Sequence, residues 1–106
     1  MENHLPLKQA QLSLQQSGNE FLGLFQHGTL LVELYKPDKI DKQKPHARDE
    51  VYIIASGNGQ FNLEGEVSAI TAGDFLFVPA AAAHHFFDFT DDFSAWVLFY
   101  GPQGGE

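Results

Sequence analysis

With 106 residues, the chain has room for one hydrophobic core and not for two. A hydrophobic content of 43% is globular rather than disordered, and the lack of cysteine excludes disulfides and thiolate metal sites. The net charge of -8, with only six Lys and Arg, leaves no basic stripe for phosphates, so no nucleic-acid partner and no anionic membrane surface is expected.

The N-terminal stretch "MENHLPLKQAQLSLQQ" is polar and lacks the apolar core of a signal peptide. No apolar run approaches the roughly 20 residues of a membrane helix, so a soluble cytoplasmic protein is expected. Strand signals then dominate. "EFLGLFQ" and "TLLVELY", joined at His27-Gly28, predict a hairpin over residues 20–35. The polar stretch "KPDKIDKQKPHARD" has two prolines and no helical stripe, and reads as a long connection or an edge strand.

"EVYIIASG", "GQFNLEG" and "EVSAITAG" follow, each ended by glycine, and "DFLFVPA" is closed by Pro79. Ala80–Ala83 lies between that proline and an aromatic run, which makes it a turn of small residues rather than a helix. "AHHFFDF" and "SAWVLFY" complete about eight short strands, the pattern of an all-β sandwich or barrel. No helical apolar period extends beyond two turns, and the tail "GPQGGE" is expected to fray. "VYIIAS", "FLFVPA" and "AWVLFY" are apolar on both alternating faces, which predicts a covered outer face and a homodimer.

Among the five histidines, His4 and His27 fall in polar or turn segments. His46 and Glu50 stand four apart; on one straight strand they would be roughly 13 Å apart, too far to share a metal. A bend at Ala47-Arg48-Asp49 is needed to bring them together. His84 and His85 are strand neighbours, so only one of them can face an interior.

The segment "GDFLFVPAAAAHHFFD" resembles the second signature of the cupin superfamily, G-x5-P-x-G-x2-H-x3-N, with Gly73, Pro79, Ala81, His84 and Asp88 in its places. The first signature, G-x5-H-x-H-x3/4-E-x6-G, is matched in spacing by Asp38, Lys44, His46, Glu50 and Gly57. "PHARDEVY" and "DDFSAWVLFYGPQGGE" are similar to stretches of a group of small bacterial cupins. The resemblance implies one cupin-type β-barrel (a double-stranded β-helix or jelly roll) over 1–106, with its core at about 29–100. Strands within 8–28 would pair with that barrel or with the partner subunit.

It also implies a divalent metal (Fe, Mn, Ni, Co or Zn) held by His46, Glu50 and His84. Lys44 stands where typical cupins carry a first histidine, and as an ammonium it cannot ligate. Gln43 is a weaker candidate donor, available if a bulge near Pro45 shifts the register. Selecting His84 turns His85, Phe87 and Phe89 outward and sends Phe86 and Asp88 inward. Tyr52, Phe75, Phe77, Phe86, Trp96 and Tyr100 are candidates for an aromatic pocket wall. The expected function is metal-dependent oxygenase- or isomerase-type chemistry on a small, partly apolar molecule. The alternative is a non-catalytic binding or sensor module.

Overall fold

The computed structural model of the chain describes residues 3–106. It contains one helix, α1 (Leu7–Ser17), and eight strands: β1 (Phe21–His27), β2 (Leu30–Tyr35), β3 (Asp49–Ser56), β4 (Asn58–Leu63), β5 (Glu66–Thr71), β6 (Phe75–Val78), β7 (His84–Phe87) and β8 (Ser94–Tyr100). One sheet has the order β1-β2-β8-β3-β6 and the other β5-β4-β7; every pairing is antiparallel. The two sheets enclose a core of Tyr35, Tyr52, Ile54, Phe61, Ile70, Val78, Phe86, Phe93, Ala95 and Val97. This is the predicted β-barrel, strand for strand.

The register decides which face each residue takes. Glu50 of β3 lies opposite Val78 on one side and Phe99 on the other. Glu50, Tyr52 and Ile54 therefore point inward, while Val51 and Ile53 point out, as the period of two requires. The same phase turns Leu76 and Val78 of β6 inward and exposes Phe75 and Phe77 (63% and 44%). These two phenylalanines are not pocket walls. Trp96 also faces outward, packing with Leu34 beneath α1, and the alternation of β8 places Tyr100 in that same outward phase.

Within 8–28, where strands were expected, β1 is a strand and pairs with β2, but the segment before it is a helix. Residues 7–17 are helical because Leu7, Ala10 and Leu14 fall on one face at helical spacing. Gly18 ends the helix in the left-handed conformation (φ 74°), its N–H donating to Gln15 O. Ala10 and Leu14 bury against Leu34, Leu22, Leu24 and Trp96 on the outside of the larger sheet. Gln11 Nε2 donates to Ser56 Oγ and Ser94 Oγ, each at 3.3 Å. The helix thus covers part of the doubly apolar sheet. It leaves open a strip of Val51, Ile53, Leu98, Phe75 and Phe77.

Leu14 is the buried anchor of α1, and Leu14→Ala is expected to destabilise the protein by about 2–5 kcal/mol. Urea unfolding measures this. The exposed Leu12→Ala, on the opposite helix face, should change stability by no more than about 0.5 kcal/mol.

Candidate metal centre

Glu50 enters the barrel from the start of β3 and is wholly buried. His84 starts β7 in the facing sheet, also buried, while its neighbour His85 is exposed. His46 comes from the irregular segment before β3 and stands at the mouth, its side chain about one-third exposed (35%). The ligating atoms of His46, Glu50 and His84 lie within 4.8 Å of one another. Glu50 Oε1 is 3.1 Å from His84 Nε2 and 4.0 Å from His46 Nε2. The bend between His46 and Glu50 is what brings together two residues that a straight strand would hold apart.

The fit to a metal is tested by how each donor is held. Among the described residues, neither Glu50 oxygen has a hydrogen-bond partner; the approach to His84 is close but misaligned. A buried, unpartnered carboxylate is strongly disfavoured unless a cation or proton meets it. His84 Nδ1 lies 2.9 Å from Ala82 O, a carbonyl that can only accept. The Nδ1–H tautomer is thereby selected and the Nε2 lone pair turns to Glu50. Two imidazole nitrogens and a carboxylate oxygen facing one point make a sound donor set for a divalent first-row metal.

Two further side chains reach this point. Tyr52 donates its hydroxyl to Gln43 Oε1 at 2.7 Å, and its oxygen is 3.1 Å from His84 Nε2. Burial, reinforced by the Glu50 charge, pushes the Tyr52 phenol well above its ordinary range, so it stays protonated. Gln43 Oε1 is also 3.4 Å from His46 Nε2. Lys44 is exposed outside the barrel. Residues 41–46 form no regular strand, so spacing along the chain does not carry Lys44 inward and Gln43 takes that place instead.

Of the aromatic candidates, Tyr52 and Phe86 lie inside. Phe86 packs on Tyr52 (5.0 Å), Phe61 (4.8 Å) and Phe93 (4.9 Å), one layer below the histidines. Sequence reasoning missed Phe99, whose ring meets His46 edge-on at 5.0 Å, and Phe61, 6.3 Å from His84. Glu33 was also missed. It is half-buried on the inner face of β2, opposite Val97, and burial followed by the Glu50 charge raises its pKa. Beyond β7, Asp88 adopts a positive φ (50°) and turns outward, and Phe89 packs inward on Phe93. This reverses the inward–outward phase expected for that pair. A groove of about 1160 Å³ lies between α1 and residues 88–92 at the other end of the strands. Its lining contains none of the histidines.

A frame of hydrogen bonds fixes the segments that carry the donors. Asp49 Oδ1 accepts from Ala80 N (2.8 Å) and Oδ2 from Glu106 N (3.0 Å). Ala81 N donates to His46 O at 2.7 Å, and Gly104 N to Ala47 O at 2.6 Å. The C-terminal residues are thus tied to the His46 loop rather than free as expected, because the Gly104 and Glu106 amides find acceptors in Ala47 and Asp49. Arg48 Nε donates to Gly101 O at 3.0 Å and its guanidinium also reaches Thr29 O.

Known proteins place this geometry in context. The family model described as "Cupin domain" matches residues 31–99. The chain belongs to the cupin family. It is 32% identical over 97 residues to an uncharacterized protein of Streptomyces coelicolor, an alignment covering 88% of this chain and 92% of that one. The structure of KdgF from a Halomonas species has 19% identity and a TM-score of 0.67, covering 78% of both chains. DMSP lyase DddQ from Ruegeria pomeroyi has 24% identity and a TM-score of 0.66, covering 76% of this chain and 46% of that one. At these identities the two structures share the fold.

His84 gives a prediction whose sign follows from its surroundings. Burial alone would lower its pKa, but the Glu50 carboxylate, the Ala82 carbonyl and the charge of Asp41 together hold it above the ordinary 6.5. The resulting stabilisation is complete below that ordinary value and is lost as pH rises through the folded one. Chelator-treated protein is therefore expected to lose stability to urea as pH rises above the ordinary imidazole value of 6.5, and His84→Gln should remove that part of the slope. Identical slopes for both proteins would contradict the assignment.

Proposed function

We propose that the chain binds a divalent metal through His46, Glu50 and His84 and acts there on a small, partly apolar molecule. The observation that carries this reading is the wholly buried Glu50 carboxylate, unpartnered and facing two imidazole nitrogens. When bound, such a metal supplies a Lewis acid for a carbonyl or enediol, and iron adds O2 activation. The protein side chains do the rest. His46 marks the entrance, Phe99 offers an apolar wall beside it, and the Tyr52 hydroxyl is directed by Gln43. Glu33, held more readily protonated than an ordinary carboxyl, is a second proton-carrying group on the inner face.

Elemental analysis of protein purified without chelators or a His tag is expected to find about one metal per chain. Glu50→Ala and His84→Ala should each reduce this at least about tenfold. Retention of wild-type metal by both variants would sink the metal reading. With metal present, oxygen uptake or isomer formation across a panel of diketones and phenolic acids separates catalysis from a binding role. Tight binding of one such compound without turnover would favour a sensor module.

The open strip on the outer sheet supports a homodimer. Phe77, Val51 and Leu98 run side by side across three strands, and Phe75 and Ile53 form the adjoining row. Burying each exposed phenylalanine is worth about 1.5–3 kcal/mol, and a symmetric pair of copies buries four. Sedimentation at micromolar concentration is expected to give a dimer mass for the wild type and a monomer mass for the Phe75→Ser/Phe77→Ser double variant. A monomeric wild type would contradict this assembly.

A further inference from the structure

Gln43 has a side-chain amide whose orientation is settled by its neighbours. Its Nε2 donates to Asp41 Oδ2 at 2.8 Å, and its backbone N–H donates to Asp41 Oδ1 at 2.9 Å. A carboxylate can only accept, so it must face the NH2 side, and Oε1 is turned the other way. That oxygen receives the Tyr52 hydroxyl and lies 3.4 Å from His46 Nε2. An amide oxygen has two lone pairs, and Tyr52 uses one.

Asp41 is itself held by its surroundings. Besides the two Gln43 donors, it accepts from Tyr35 OH at 2.6 Å and from Phe86 N at 2.8 Å. With four donors on its two oxygens it has no call for a cation, and it acts as a clamp that points Gln43 at the site. Donors bound to one metal at about 2.0–2.2 Å sit about 3–3.5 Å from each other at tetrahedral or octahedral angles. The spacing between Gln43 Oε1 and His46 Nε2 falls in this range, as does that between Glu50 Oε1 and His84 Nε2.

Building on the metal reading above, we propose that Gln43 Oε1 is the fourth protein donor of the centre and that Asp41 is its positioning residue. The centre then holds two imidazole nitrogens and two oxygens. Replacing a third nitrogen by an amide oxygen makes the set harder and shifts its preference toward Mn(II) and Fe(II), away from Zn(II) and Ni(II).

The test is titration of the purified full chain with Co(II), followed by its visible absorption, and with Mn(II) against Zn(II) in competition. Gln43→Leu is expected to weaken Co(II) binding about tenfold or more and to change the absorption bands. Tyr52→Phe, which removes the hydroxyl that rests on Gln43 and lies 3.1 Å from His84 Nε2 but supplies no metal donor in this reading, should weaken binding by no more than a few-fold and leave the bands in place. Gln43→His should move the competition toward Zn(II) by about tenfold. On the wild type, Zn(II) should shift the side-chain carbonyl carbon of Gln43 in NMR, a readout that needs no variant to fold. Wild-type affinity and bands in Gln43→Leu, or a Tyr52→Phe loss as large as its own, would overturn the role of Gln43 while leaving the three-residue site intact. A wild type that binds no Co(II) at all would overturn both.

Discussion

The Glu50 carboxylate is the constraint around which the rest of the barrel is arranged. It is wholly buried, in the strand that shares both a β6 and a β8 neighbour, and among the described residues no hydrogen-bond donor satisfies either oxygen. An unmet buried charge costs several kcal/mol, a large share of the roughly 5–15 kcal/mol by which a small domain is stable. Such a group is tolerable when something with positive charge completes it. When neutral, the two histidines turned toward it, one with its tautomer fixed by Ala82, supply lone pairs rather than charge. The donor set is of the kind that a divalent cation completes.

Comparison among three nearby carboxylates makes the point sharper. Asp41 accepts four hydrogen bonds and holds Gln43. Asp49, adjacent to Glu50 in the chain but facing the other way, accepts from Ala80 and Glu106. Those two amides keep Asp49 ionised to lower pH than an ordinary carboxyl. Both aspartates are structural, tying the His46 segment, the 79–83 turn and the C-terminal residues into one frame. Ala81 accepts a left-handed backbone (φ 69°) within that frame, at a position where glycine would be unstrained, and still donates to His46 O. Strain and satisfied hydrogen bonds surround a point where hydrogen bonding has been withheld.

The strands were legible because glycine, proline and the period of two mark them out, and the cupin signatures located His46, Glu50 and His84, which the fold gathers. What escaped has a common cause. "FLFV" and "AWVLFY" are apolar on both faces, so periodicity could not say that Phe75, Phe77 and Trp96 point outward and Phe99 inward. That phase is set by pairing with Glu50 across the sheet. The helix was missed because its buried stripe is only Leu7, Ala10 and Leu14, among glutamines and serines and with no side-chain cap at Pro6. Lys44 and Gln43 exchanged places because residues 41–46 follow no strand alternation and Asp41 decides their orientation.

The account stands or falls on whether Glu50 is a destabilising residue that a metal makes stabilising. Thermal unfolding of the wild type and Glu50→Leu, with chelator and then with saturating Mn(II) or Zn(II), measures this directly. In chelator, at a pH high enough that His84 is neutral, Glu50→Leu is predicted to melt at or above the wild type; added metal should raise the wild type past the variant, whose midpoint should not move. A Glu50→Leu protein that melts below the wild type in chelator, with no shift of the wild type on adding metal, would contradict the account.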